Sequence, residues 1–226
     1  MKPIILLFLS LLTFFLFGCQ TDQTKLPKII TAEQIKALSE NDMFAITTLA
    51  CIEIDDRAII AADNHKLTKR LNAVAKTLPQ KANNIALNYK VYIDTQPNAW
   101  STANGCIRVN SGLMKLLDDN ELQAVLAHEQ AHVALKHTIS LIRQAPYIEF
   151  THKANELVIL TKEETAQQHE IEADNYALQL LINENIDPQG LVNMLLKIPF
   201  HSVTGSTTHP SRSKRISNII NKLNAK

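Results

Sequence analysis

The chain of 226 residues is long enough for one domain with a full hydrophobic core, and it contains no internal repeat or low-complexity tract. Its 23 basic and 22 acidic side chains nearly balance, and no basic stripe is interleaved with aromatic residues, which argues against nucleic acid as a partner. With only five glycines, the composition favours helices.

The first 18 residues have the anatomy of a secretory signal, because Lys2 is followed by an apolar run too short for a comfortable membrane span. Leu16, Gly18 and Cys19 resemble a bacterial lipobox, in which the cysteine becomes the lipid-modified mature N-terminus. An ordinary cleaved signal or a marginal membrane anchor is the alternative interpretation.

The lipobox divides the chain into three parts. We expect a lipoprotein signal peptide at residues 1–18, a lipidated tether at 19–30 and a single domain at 31–226. Gln20 stands where an aspartate would signal retention in the inner membrane, so the resemblance favours a periplasmic protein anchored to the outer membrane of a Gram-negative bacterium.

Two cysteines remain after this processing, Cys51 and Cys106. An exported domain folds in an oxidising compartment, so we predict a disulfide between them. Two buried free thiols are the alternative.

Helical periodicity fills the first part of the domain, from residue 31 to 60 and again from 65 to 78. Four polar residues near these helices are expected to be solvated: Asp55, Asp56, Asp63 and His65. Alternation then predicts a strand at 88–94 and a second strand at 99–110. The second strand contains Asn104-Gly105, a dipeptide that favours a tight turn or bulge.

Residues 118–137 are predicted to form one buried helix, with Asp118 as N-cap, because apolar residues occupy nearly every face. His128, Glu129 and His132 give it the pattern H-E-x-x-H. Histidines four residues apart lie on one helix face and can bind one metal ion, while the glutamate can reach a coordinated water. A single buried histidine is more often paired with a carbonyl, but two histidines and a glutamate are harder to explain in that way.

A second long helix is predicted from Thr161 to Asn183, after an apolar segment at 147–160 that we expect in the core. Glu170 and Asp174 share one face of it with several alanines, which favours close packing over a solvated face. A catalytic zinc usually has three protein ligands, and Glu170 is the candidate for the third. Asp174 is suited to accept the N–H of a ligating histidine.

These motifs resemble the HtpX- and CaaX-prenyl-protease-like zinc metallopeptidases, metallopeptidase family forty-eight. The resemblance lies in HEQAH at 128–132, EIEAD at 170–174, GCIRVNSGL at 105–113 and THPSRSKRI at 208–216. It covers roughly residues 67–216 and is to the small periplasmic lipoprotein branch, not to the polytopic members.

The resemblance implies a mostly helical α+β fold, a zincin-like metallopeptidase domain with an HExxH helix, a glutamate-ligand helix and a small antiparallel β-sheet. It implies one zinc ion per chain and these roles: ligands His128, His132 and Glu170; general base Glu129; oxyanion donor His209; and supporting residues Asp174 and Arg215. Four other histidines match no ligand position: His137, His152, His169 and His201. Of these, His169 is expected on the surface.

The mechanism implied is hydrolysis of a peptide bond by a water that zinc activates and Glu129 deprotonates. We expect an extended peptide to bind by strand addition along the second strand, at Trp100, Asn104, Gly105 and Ile107. Unfolded or damaged exported proteins suit such a site.

The sequence therefore predicts a lipid-anchored zinc endopeptidase of envelope protein quality control. A lipid-anchored periplasmic chaperone or assembly factor that binds extended peptides without cleaving them is the alternative. A purely structural lipoprotein would leave the metal-binding pattern unexplained.

Overall fold

The structure, a computed structural model, describes residues 29–149, 158–159, 163–199 and 212–225. Within them the helices are α1 (Ala32–Ala37), α2 (Glu40–Arg57), α3 (Lys66–Ala75), α4 (Ser111–Leu116), α5 (Asp119–Ala134), α6 (His137–Gln144), α7 (Glu163–Asn183), α8 (Gln189–Lys197) and α9 (Arg212–Asn224). The strands are β1 (Ile29–Thr31), β2 (Lys81–Ala82), β3 (Ile85–Ala86), β4 (Asn88–Tyr92), β5 (Ala99–Ser101), β6 (Cys106–Asn110), β7 (Tyr147–Glu149) and β8 (Val158–Ile159). The predicted mostly helical α+β class is confirmed.

Helix α5 begins at the predicted cap but ends before the predicted position. Asp118 accepts a hydrogen bond from the backbone N–H of Glu121, and the Glu121 carboxylate accepts one from the N–H of Asp118, which is a complete capping box. The helix stops at Ala134 because Lys136 adopts left-handed backbone angles, with φ 56°. The single helix predicted to run through His137 is therefore wrong: His137 begins α6.

The first predicted helical stretch is also divided. Ser39 forms a capping box with Asp42, so α1 ends and α2 begins within the stretch that sequence periodicity joined. The apolar segment predicted at 147–160 is described only in part. There, Ile148 of β7 is fully buried, while Tyr147 is partly exposed.

The sheet that adjoins α5 has the strand order β4-β6-β5. β6 lies at its centre, parallel to β4 and antiparallel to β5, and all five β6 residues are buried. The predicted turn at Asn104-Gly105 connects β5 to β6, and Gly105 has φ +82°. The other described sheets, β1-β7-β8 and β2-β3, are antiparallel.

The main core surrounds α5, which packs against α7, α8 and the sheet. Leu122 and Leu126 of α5 and Leu181 of α7 are fully buried. Apolar residues on every face of α5 explain why it lies at the centre rather than on the surface.

A second buried polar region joins α2 to the sheet. Cys51 and Cys106 form the predicted disulfide between α2 and β6. Asp55 lies beside the disulfide. The prediction that Asp55 is solvated is wrong. Its carboxylate accepts hydrogen bonds from Arg108 at 2.8 and 2.9 Å, from Lys90 at 2.7 Å and from the hydroxyl of Tyr92 at 2.6 Å.

The other three residues expected to be solvated are Asp56, Asp63 and His65, and they differ less from that prediction. Asp56 and Asp63 are exposed. His65 is half-buried and caps α3, since its ring nitrogen accepts a hydrogen bond from the N–H of Leu67 at 3.2 Å.

Candidate metal centre

Helices α5 and α7 bring the three predicted metal ligands together. Ala173 and Ala177 on α7 are fully buried, and their small side chains let the two helices approach closely. His128 and His132 project from successive turns of α5, and Glu170 faces them from α7.

The ligand atoms of these three residues converge on one point. The Nε2 atoms of His128 and His132 lie 3.0 Å apart. The Glu170 carboxylate lies 3.5 Å from each of them, through Oε2 to His128 and Oε1 to His132. Tetrahedral bonds of about 2.0–2.1 Å would separate neighbouring ligand atoms by roughly 3.3 Å, so the spacing fits one ion of zinc size. Two imidazole lone pairs facing each other also need a cation or a proton between them, and the donor set therefore fits a metal.

Asp174 and Arg215 support the ligands from behind. Asp174 is fully buried, and its Oδ1 lies 3.1 Å from Nδ1 of His128. Arg215 on α9 donates to both Asp174 oxygens, at 2.7 and 2.6 Å, and lies 2.9 Å from the carboxylate of Glu170. This bidentate pairing holds Asp174 charged and orients the His128 ring, with Nε2 towards the other ligands.

The two histidines differ in charge in the metal-free protein. Burial favours neutral His128, but the neighbouring carboxylates of Asp174 and Glu170 outweigh it and raise the pKa of His128 to about 10. Burial, together with the charge on His128, lowers the pKa of His132 to about 3. His132 is therefore neutral, whereas His128 must release a proton before it can bind a metal.

Glu129 adjoins the ligands and is held by the sheet. Burial raises the pKa of its carboxyl, although the charge on His128 and a hydrogen bond from Ser101 lower it in part. That bond runs from the Ser101 hydroxyl of β5 to Oε2 of Glu129 over 2.7 Å. A carboxylate with a raised pKa beside a metal is suited to general base catalysis. The role of Ser101 could not be predicted, because it lies 28 positions from Glu129 in the sequence and no local pattern links them.

The predicted substrate strand is partly wrong. Ile107 lies in the central strand β6 and is fully buried, and Asn104 and Gly105 lie in the turn before it, so these three residues do not form an edge. In the described part of the chain, β5 pairs only with β6, which leaves its other side free beside α5. Trp100 lies in β5, half-buried and in edge contact with the ring of Tyr92.

His169 is not on the surface, contrary to prediction. It is 8% exposed, and its ring stacks on that of His137, with centroids 4.2 Å apart and an interplanar angle of 9°. The reason is the left-handed turn at Lys136, which starts α6 in a direction that packs His137 against α7.

Several predicted residues lie outside the described part of the chain. These are the lipidation site Cys19, the oxyanion donor His209, and the histidines His152 and His201. Of the helices that the structure describes, none is long and apolar enough to cross a membrane.

Comparison with known proteins agrees with this geometry. A family model described as peptidase family M48 matches residues 61–222. The chain is 32% identical to metalloprotease LoiP of Escherichia coli strain K12 over 93% of its length and 92% of that protein. It is also 32% identical to metalloprotease YcaL of the same strain, over 86% of the chain and 85% of that protein. A β-barrel assembly-enhancing protease of Yersinia pestis is 27% identical over 70% of this chain and 39% of its own length.

Proposed function

This chain belongs to peptidase family M48, and we propose that it is a zinc-dependent endopeptidase. The observation that carries the proposal is the convergence of His128, His132 and Glu170 on one point, with Glu129 beside it. The choice of zinc follows from the donor set, because two imidazoles and one carboxylate with a position left for water are typical of catalytic zinc.

The residues of the site divide the work of hydrolysis among them. Zinc, when bound, would polarise the scissile carbonyl and make a water acidic. Glu129 would take a proton from the attacking water and pass it to the leaving amine. The hydrogen bond from Ser101 holds the Glu129 carboxylate in place, and His209 is proposed to donate to the developing oxyanion.

The side of β5 that pairs with no other described strand supports an extended polypeptide as the substrate. A peptide that pairs with Ala99–Ser101 would pass beside Glu129, because the Ser101 hydroxyl bonds to that residue. Pairing through the backbone makes few demands on side chains, so unfolded or damaged exported proteins are the proposed substrates. We propose that the enzyme acts in the periplasm, held to the outer membrane by lipid on Cys19.

Glu129→Gln tests the chemistry, because glutamine keeps the shape of glutamate but cannot act as a base. We expect the variant to bind zinc and fold as the parent does, and to lose casein cleavage by a factor of about 10² or more. Glu184→Gln, the same change at an exposed position, is the matched control and should cleave at the parental rate.

The digest also separates the enzyme from a binding protein. Near-parental cleavage by Glu129→Gln would place the chemistry elsewhere. If neither protein cleaves casein or an unfolded outer-membrane protein with zinc present, the lipid-anchored chaperone or assembly factor becomes the better account. Anchoring is tested separately with Cys19→Ser, which should remain unprocessed or leave the membrane fraction.

A further inference from the structure

A second cluster of polar side chains lies on the side of His132 that faces away from the other ligands. Nδ1 of His132 is 2.9 Å from Nδ1 of His137, and Nε2 of His137 is 3.2 Å from Oε2 of Glu172. The other oxygen of Glu172 accepts a hydrogen bond from the Gln168 side chain at 2.9 Å. His137 is 3% exposed, whereas the Glu172 side chain is 43% exposed, so the contacts run from the buried ligand towards the surface.

Metal binding determines where the hydrogens lie in this series of hydrogen bonds. When Nε2 of His132 binds a metal, its Nδ1 carries the hydrogen. Nδ1 of His137 must then accept that hydrogen bond, which places the His137 hydrogen on Nε2. That hydrogen points at Glu172. One set of tautomers therefore satisfies every contact from the metal ligand to the carboxylate.

The fold fixes the His137 ring in this arrangement. The left-handed residue Lys136 ends the α5 segment and makes His137 the first residue of α6. His169 of α7 then covers one face of the His137 ring by stacking. The ring is thus held by two helices and by hydrogen bonds at both of its nitrogens.

The cluster could also be read as a second metal site, since ligand atoms of His137, His169 and Glu172 lie within 4.8 Å of one another. The ring geometry argues against this. An imidazole nitrogen directs its lone pair in the plane of its own ring, and these two rings are nearly parallel with centroids 4.2 Å apart. One ion cannot lie in both planes.

We propose that His137 and Glu172 are positioning residues for His132, which fix its tautomer and the direction of its Nε2. Asp174 orients His128 directly. His132 is instead connected to the carboxylate of Glu172 through the imidazole of His137. This inference rests on the proposed function, because it requires His132 to bind the metal.

The zinc dissociation constant, measured by competition with a chromogenic chelator, tests the proposal without reference to cleavage. His137→Leu removes both hydrogen bonds and should weaken zinc binding about 10- to 100-fold, the usual effect of losing a partner of a ligating histidine. His137→Gln keeps an acceptor for His132 and a donor for Glu172, and should bind zinc within about threefold of the parent.

A double-mutant cycle shows whether Glu172 acts through His137. Glu172→Ala alone should weaken zinc binding about three- to tenfold, but should have no further effect in the His137→Leu background. Glu184→Ala is the exposed control and should have no effect. Should the His137→Leu protein fail to fold, as judged by thermal melting, Glu172→Ala and His137→Gln still decide the matter.

Three results would overturn the proposal. One is a parental zinc dissociation constant in Glu172→Ala or in a folded His137→Leu protein. Another is an additive double variant. A third is two zinc ions per chain, falling to one in His169→Ala, which would assign the cluster to a second metal. Absence of zinc from the parent protein would instead reject the proposed function, and this inference with it.

Discussion

Two buried networks of charge in the described part of the chain differ in what their polar atoms face. Beside the disulfide, Asp55 accepts bonds from two cations and a hydroxyl, and Arg108 donates to Asp55 and to backbone carbonyls. At the metal centre, Arg215 pairs with two carboxylates in the same way, yet the ring nitrogens of the histidines face each other. The first network pairs an anion with two cations and a hydroxyl, whereas the second directs three possible metal ligands at one point, which a proton or a metal ion can occupy. Buried polar groups alone therefore do not mark a functional site; ligand atoms that converge on one point do.

Removing the converging ligands should have the largest effect. We expect His128→Ala/His132→Ala to lose zinc and all cleavage, because a single carboxylate cannot hold the ion. Elemental analysis of the purified protein measures this. His65→Ala, at the start of α3 and away from the site, is the control, and undiminished zinc in the double variant would refute the assignment.

Breaking the Asp55 network beside the disulfide should lower stability and leave metal binding intact. Arg108→Met leaves a partly buried carboxylate without its main partner, and we expect the free energy of unfolding to fall by about 3–5 kcal/mol. Denaturant unfolding measures this, with zinc content as the second readout. Arg57→Met breaks the exposed pair with Glu53 and should cost about 0.5 kcal/mol or less. Equal losses in both variants would remove the distinction between buried and exposed pairs.

The two networks should also respond differently to pH. Because the pKa of His128 is raised to about 10, zinc must displace its proton, so zinc affinity should fall as pH falls, by up to about tenfold per pH unit between pH 6 and 9. Because the pKa of His128 is raised by folding, its protonated form stabilises the metal-free fold at low pH, and that contribution is lost as pH rises through about 10.

Calorimetry in buffers of different ionisation enthalpy counts the protons released, and we expect about one per zinc near neutral pH. At Asp55, burial opposes ionisation, but hydrogen bonds from Arg108, Lys90 and Tyr92 outweigh it and lower the pKa to about 2. Its stabilising contribution is therefore present above the ordinary carboxyl pKa and lost only as pH falls towards 2. Zinc binding without proton release would contradict the charge assigned to His128.

The smallest expected effect concerns the connection between the sheet and the base. Ser101→Ala removes one hydrogen bond to Glu129 and should reduce kcat by about fivefold, or about 1 kcal/mol, with zinc content unchanged. Steady-state kinetics on a peptide substrate measures this. Ser101→Thr keeps the hydroxyl and should recover the rate; a rate equal to the parent's in Ser101→Ala would show that the bond does not position the base.

Features that depend on neighbouring residues could be predicted from the sequence. The cap at Asp118 and the alignment of His128 with His132 follow from helix geometry alone, and the alanines on α7 indicated where Glu170 would approach. The pairing of Asp55 with Arg108 spans 53 residues and has no local pattern. The turn at Lys136 was also not predicted. A glycine there would have indicated a left-handed turn, but a lysine, which rarely adopts φ 56°, gives no such signal.

That turn explains why the histidine cluster behind His132 was not foreseen. A continuous helix through residue 137 would place His137 on an extension of α5. The observed break starts a new helix, and His137 then lies between His132 and Glu172.

The disulfide also bears on how such an enzyme would survive its own activity. It joins Cys51 to Cys106, which are 55 positions apart in the sequence, and the loop so closed contains α3 and strands β2 to β5. A single cut anywhere within that loop would leave both fragments covalently joined. Self-cleavage in this region would therefore not separate the pieces, and it would appear on a gel only after reduction.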